Sequence, residues 1–360
     1  MALALLALLA VSTPALAEPV RKKSMWGPAR VDGESQFPIY DELGAGIYQT
    51  SLAWNGVAEE RPANPRDPAD PAYDWPRELD FALAEAERYR MRVSVLVSYA
   101  PAWANGGRTH NWAPRDPSDF ADFVAAASLR YPGVEFWMIW GEPSRRSQFR
   151  PMANDVKRTK RITKAQRRGP RRYALLLDAA YAAVKEVDRS DRVIGGNTFT
   201  TGDVSPLKFI KAMKLPNRKP PRLDLYGHNP FTGRKPALRE RQLPDSRRGG
   251  FADFSDLDTL AKWVDRAYRR RGKKPKLFLS EFFLPTDRPN HEFNFYVSRR
   301  TQANWLRAAL KITRRWRRIY TLGWFSLYDD PPNGAGDEVR RGLIDQKGRR
   351  KPAFFVYKRG

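Results

Sequence analysis

From Lys23 onward the chain alternates apolar runs of strand length with segments of helical period, and the alternation recurs eight times. This restricts the fold more than any single motif. Consecutive parallel strands need a crossover of a dozen residues or more, usually a helix, and strands buried on both faces read as continuous apolar runs. Arg92–Ser98 (RVSVLVS), Val134–Trp140 (VEFWMIW) and Lys276–Ser280 (KLFLS) are such runs, as are Ile47–Trp54, Val193–Gly196, Leu223–Gly227 and Thr321–Leu327. Lys23–Trp26 supplies a first strand.

The intervening segments carry helical spacing. Trp75–Arg90 places Leu79, Ala82, Leu83, Ala86 and Tyr89 on one face; a helix capped by Asp116 and running through Tyr131 does the same with Phe120, Phe123, Val124, Ala127 and Leu129. Phe37–Leu43, Tyr173–Val187, Pro206–Met213, Leu257–Arg271 and Arg299–Arg315 complete the series. Eight βα units in one uninterrupted chain predict a single-domain (β/α)8 barrel over residues 18–360. The rival open, doubly wound sheet would carry a glycine-rich phosphate turn, and the sequence has neither G-x-G-x-x-G nor a Walker pattern. No nucleotide cofactor is expected. With no Cys and three His, neither a disulfide nor a metal centre is expected.

Residues 1–17 form a separate segment. A short apolar run over residues 3–11 leads to Ala15-Leu16-Ala17, a small-x-small cleavage pattern, so a signal peptide and a secreted or extracytoplasmic protein are expected. The run is too short to span a bilayer, and no later stretch approaches the roughly 18 apolar residues that a transmembrane helix needs.

Charge is unevenly placed. The formal net charge is +25, but Glu18–Pro143 is net −6 and Ser144–Gly360 net +31. Such a skew favours a polyanionic partner, including electrostatic association with an anionic cell envelope, while arginine-rich codon usage would give the same composition. The densest stretch is Lys157–Arg172, with nine basic residues in sixteen and no acid. It follows the fourth strand, and in a barrel the loops after strands share one rim. It is therefore expected to face whatever enters that rim.

Chemistry in such a barrel sits at the C-terminal strand ends. Strand four ends Trp140-Gly141-Glu142-Pro143 and strand seven ends Ser280-Glu281-Phe282. Two carboxylates on one rim suit glycosidic cleavage, where one protonates the leaving oxygen and the other attacks or stabilises the oxocarbenium-like centre. The Trp137–Pro143 motif, W-x-x-W-G-E-P, resembles the W-x-x-W-N-E-P strand of clan A (4/7) glycoside hydrolases, the group of cellulase- and β-xylosidase-like families. Trp54 with Tyr73-Asp74-Trp75 and the stretch Tyr99–Ala104 are similar to further parts of that clan. So is Gly342–Asp345 with Gly348 and Lys351-Pro352-Ala353.

The resemblance implies a secreted retaining hydrolase of a poly- or oligosaccharide, with Glu142 as acid/base and Glu281 as nucleophile. It places Trp324 as the platform under the reacting sugar. Trp54, Tyr99 and Trp103 at strand ends, His228 and Asn229 on strand six, Gln49 on strand two and Arg145 beside Glu142 join the candidate substrate contacts. Core packing competes for each aromatic, and a lone His is more often structural.

Three positions depart from the clan pattern: Gly141 stands for Asn, Gln49 for Arg and Phe231 for Tyr. Losing one preorganised donor costs roughly 10²–10³ in rate. A non-catalytic glycan- or polyanion-binding protein on a degenerate barrel is therefore the alternative. Nucleic acid is not an expected partner, since no recognition motif is present.

Overall fold

A computed structural model of the protein describes residues 22–153, 161–238, 242–290, 295–332 and 338–360. The signal-peptide segment 1–17 and the beginning of the basic stretch, residues 157–160, lie outside the described residues.

The eight strands are β1 (Lys23–Trp26), β2 (Ile47–Ala53), β3 (Arg92–Ser98), β4 (Val134–Ile139), β5 (Arg192–Phe199), β6 (Leu225–Asn229), β7 (Lys276–Phe282) and β8 (Ile319–Phe325). Each pairs in parallel with the next, and β8 pairs back onto β1 through Met25 and Trp324, closing the sheet. The expected (β/α)8 barrel is thus the observed fold. The helices that follow the strands are α1 (Phe37–Glu42), α2 (Arg77–Arg88), α3 (Pro117–Arg130), α4 (Arg168–Val187), α5 (Pro206–Ala212), α6 (Leu257–Tyr268), α7 (Arg299–Arg315) and α8 (Pro352–Arg359).

The barrel interior is layered. Ile47, Phe136, Met138, Ile194, Leu225 and Phe278 form an apolar floor. Two residues further along their strands stand Gln49 and Ser280, joined by reciprocal side-chain bonds: Gln49 Nε2 donates to the Ser280 carbonyl at 3.0 Å, and Ser280 Oγ donates to Gln49 Oε1 at 3.2 Å. Gln49 Nε2 also reaches Ser24 Oγ at 3.2 Å. Gly323 is required there, because a Cβ at that position would collide with the Ser280 carbonyl and the Gln49 amide. Above this polar layer the barrel opens.

Several boundaries differ from the sequence expectation. β6 starts at Leu225 and includes His228 and Asn229; β7 continues through Glu281 to Phe282; β8 runs two residues earlier than Thr321–Leu327. Strand ends in a staggered barrel are set by pairing with neighbours, which apolar runs do not encode. α4 begins at Arg168 and not Tyr173, so the end of the basic stretch is helical. Pro170 is compatible with this start, since Pro is tolerated in a first turn, where its missing N–H has no intrahelical partner. Leu129, expected on the buried side of α3, is 51% exposed.

A buried ion pair ties the closing segment to the loops that follow β7 and β8. Lys351 Nζ lies 2.6 Å from Asp329 Oδ1, with both side chains essentially inaccessible, and also donates to Thr286 Oγ1 at 3.2 Å. The Gly342 N–H donates to the same Asp329 oxygen at 2.7 Å. Removing one partner strands a buried charge, so Lys351→Met is expected to lower stability by about 3–5 kcal/mol in urea unfolding. Asp329→Asn combined with Lys351→Met should recover more than half of that loss.

Candidate active site

The chain leaves β4 through a sharp turn. Trp140 (φ 62°) and Glu142 (φ 42°) both adopt left-handed backbone conformations, as does Tyr99 (φ 65°) after β3. Such conformations cost of order 1–3 kcal/mol for a side-chain-bearing residue and persist only where surroundings over-determine them. Here the Trp140 carbonyl accepts from Asn197 Nδ2 at 2.7 Å, and its indole Nε1 donates to the Gln148 carbonyl at 2.8 Å. Trp140 is locked beneath the rim, and Glu142 lines the cavity above.

Asn229, the last residue of β6, joins the two glutamates. Its Nδ2 donates to Glu142 Oε1 at 2.9 Å, and its Oδ1 accepts from the Glu281 backbone N–H at 3.2 Å. Arg145 holds the other Glu142 oxygen, with Nη1–Oε2 at 2.6 Å, a charge-assisted bond that stabilises the carboxylate anion. Glu142 is 7% exposed. Burial pushes the Tyr99 phenol above its ordinary range, and the negative charges of Glu142 and Glu281 push it further. Both carboxylates therefore act on one phenol, whose hydroxyl donates to Gln148 Oε1 at 3.2 Å.

These groups line a cavity of about 360 Å³. Much of its wall is aromatic: Phe199, Phe231, Phe283, Phe325 and Trp26 follow one another around the rim with ring centroids 5.4, 4.8, 6.2 and 5.8 Å apart. Arg145 lies over Phe199 at 4.6 Å, and Arg341 over Phe283 at 4.6 Å and Phe325 at 5.0 Å. The space beside Gly141 is faced by Leu96, whose Cδ2 would meet a Cβ there at 3.3 Å. An apolar side chain stands where the clan pattern has an amide close by.

Of the residues singled out in the sequence, Glu142, Glu281, Tyr99 and Arg145 share the cavity, and Asn229 bridges the two acids. The others stand elsewhere. Trp324 is fully buried, edge-on to Phe282 at 6.0 Å, and its neighbour Phe325 faces the cavity instead. Trp54 is buried against Phe120 and Phe123. Trp103 donates from Nε1 to the Ala58 carbonyl at 3.0 Å beneath the Arg61 guanidinium. Gln49 lies in the polar layer inside the barrel. His228 bonds Thr198 Oγ1 through Nδ1 at 2.8 Å and the Ala252 carbonyl through Nε2 at 2.9 Å, fully buried.

Phe231 and Gly141, named in the sequence as departures from the clan pattern, also line the cavity, whereas Phe199, Phe283, Phe325, Trp26, Gln148 and Arg341 are additions from the structure. Phe283 and Phe325 each lie within two residues of a highlighted position, and correct strand boundaries would have exposed them. Arg145, ahead of the basic stretch, lines this cavity, whereas Arg168, Arg171 and Arg172 of the stretch line another. Among the described residues no cluster of His, Cys, Asp and Glu could hold a metal, and no helix is long and apolar enough to cross a membrane.

No family model matches the sequence, and no curated protein matches it. Solved structures do. A family 39 glycoside hydrolase from the gut symbiont Bacteroides cellulosilyticus WH2 aligns with 94% of this chain and 62% of its own, at TM-score 0.66 and 16% identity. A monomeric beta-xylosidase from Caulobacter crescentus CB15 aligns over 94% and 67% at TM-score 0.61 and 16% identity. A glucosidase from Croceicoccus marinus gives 94% and 67% at 0.64 and 15%. The chain thus spans about two thirds of the length of these structures, and the likeness establishes a common barrel.

His228 makes stability pH-dependent. Burial lowers its pKa from 6.5 to about 4, so the unfolded chain binds the proton first as pH falls. Its contribution is complete above about pH 6.5 and is lost towards pH 4, a change of about 3 kcal/mol. Urea unfolding of the wild type should fall more steeply over that window than unfolding of His228→Gln.

Proposed function

We propose that the protein is a secreted retaining glycoside hydrolase acting on a poly- or oligosaccharide, with Glu281 as nucleophile and Glu142 as acid/base. The observation that carries this reading is the single cavity lined by Glu142 after β4 and Glu281 on β7, with Asn229 bonded to both. The comparisons support it at the level of the barrel, since structures sharing this fold include a xylosidase and a glucosidase. An extracytoplasmic location rests on residues 1–17.

In the proposed reaction the Glu281 carboxylate attacks the anomeric carbon as the bond to the leaving oxygen breaks. Glu142 delivers its proton to that oxygen. Water then attacks the glycosyl–enzyme ester, giving its proton to Glu142 and releasing Glu281. Asn229 keeps the acid and the strand that carries the nucleophile in fixed relation throughout. Arg145, stacked on Phe199, must release Glu142 Oε2 before that oxygen can carry a proton. The aromatic arc suits the apolar C–H faces of a sugar ring.

One observation favours a second reading. The Glu142–Arg145 pair and the apolar Leu96 beside Gly141 suit a glycan-binding protein without turnover as well as an enzyme. Activity decides between them. Wild-type protein should hydrolyse an activated aryl glycoside, Glu281→Ala should abolish turnover, and azide should restore part of it as a glycosyl azide. Saturable glycan binding with no turnover in the wild type would establish the binding protein instead. Asn229→Ala removes a donor aimed at the acid and should lower kcat by roughly 10²–10³, and, because it also strips the Glu281 N–H of its acceptor, should cost about 1–3 kcal/mol in urea unfolding.

A further inference from the structure

A second cavity, of about 380 Å³, lies beside the first across the loops that follow β3 and β4. Arg108, Trp112 and Arg115 line it from the β3 loop, and Arg168, Arg171 and Arg172 from the start of α4. No carboxylate lines it among the described residues. The neighbouring Asp116 is engaged as the α3 cap, accepting from the Ser118 N–H.

Five guanidiniums around one space repel one another, and two of them, Arg168 and Arg171, stand in the first turn of α4, where a helix favours the opposite charge. The positive end of the macrodipole is stabilised by Asp or Glu. α4 has no acidic residue in its first turn and no side-chain cap. The array is also built. Arg172 is half-buried and donates to the Pro114 and Arg115 carbonyls, and Arg108 lies 4.2 Å from the centroid of the Trp112 ring. Arginines gathered around one space, with Arg172 and Arg108 held in these ways, form a receptor for anionic groups.

The receptor shares a wall with the catalytic cavity. The Arg150 N–H donates to the Asn111 carbonyl and the Ala113 N–H to the Arg150 carbonyl, both at 2.8 Å; Asn111 Nδ2 reaches the Ser147 carbonyl at 2.9 Å. Gln148 faces the glutamates on one side of this seam, and Trp112 faces the arginines on the other.

We propose that this second cavity is a distal subsite for an anionic glycan, whose carboxylate or sulfate groups dock on the arginines while Trp112 contributes its ring to a sugar face. The proposal rests on the glycosidase reading in one respect only, that the bound chain also enters the cavity of Glu142 and Glu281. It gives the basic stretch after β4 a substrate-facing role through its helical end.

The test uses the full chain and isothermal titration with four probes: an oligogalacturonate, a heparin oligosaccharide, a neutral xylo-oligosaccharide and a single-stranded oligodeoxynucleotide of matched length. The wild type should bind at least one charged oligosaccharide more tightly than the neutral one, with affinity falling as salt rises. Arg168→Glu combined with Arg171→Glu should weaken that binding at least about tenfold, since charge-assisted contacts become repulsive. The same pair should melt higher than the wild type without ligand, because two acids now face the helix dipole, and this separates lost binding from lost folding. Arg108→Ala, outside the helix, should weaken binding in the same direction.

Equal binding of charged oligosaccharides to wild type and charge-reversed protein would overturn the proposal. Tighter binding of the oligodeoxynucleotide than of either charged sugar would also overturn it. If no glycoside is cleaved but charge reversal still abolishes oligosaccharide binding, the hydrolase reading falls and the subsite stands. If aryl glycosides are cleaved and charged oligosaccharides ignore the arginines, the reverse holds.

Discussion

Closure of the parallel sheet through β1 and β8 is the constraint on which everything else depends. With all strands parallel and no free edge, every C-terminal strand end must emerge on one rim. Glu142 and Glu281, 139 positions apart in sequence, reach the same cavity only because of it. The interior has to be filled for closure to hold, and here the filling changes character along the axis. An apolar floor supports a layer in which Gln49, Ser24 and Ser280 satisfy one another, and the cavity begins above that layer. Gln49 therefore acts as a structural plug beneath the site.

The bridge made by Asn229 is the next consequence. A carboxylate buried beside apolar rings needs donors, and Glu142 obtains one from Asn229 on β6 and one from Arg145 on its own loop. The same asparagine accepts from the Glu281 backbone. One amide thereby couples strands four, six and seven, so a shift in any of them would change the relation between the two acids.

The fold was legible because strand-length apolar runs and helical periodicity are local properties of the sequence. Both glutamates were legible because each ends a hydrophobic run, and Asn229 because it follows His228 on strand six. What escaped was whatever depends on register. Trp324 drew attention as a large ring at a strand end, but alternation along β8 sends it into the core and Phe325 to the cavity. Trp54 and Trp103 are likewise claimed by helix packing. α4 starts at Arg168, five residues before the expected Tyr173, which moves Arg168 and Arg171 from the loop into the first turn of a helix.

The excess charge of +25 acquires a location from this geometry. Two arginines and two glutamates line the catalytic cavity, so its formal charges balance and it has no marked preference for an anion by charge alone. The neighbouring cavity has five arginines and no lining acid. A substrate carrying charge on every sugar would be drawn to the second space and positioned, not activated, by it, because Coulombic attraction to fixed guanidiniums is equal in ground and transition states. Such uniform binding lowers KM and leaves kcat to the groups that touch the reacting bond. In the proposed reaction those groups are Glu142 and Glu281, and the arginine that must release one of them is Arg145.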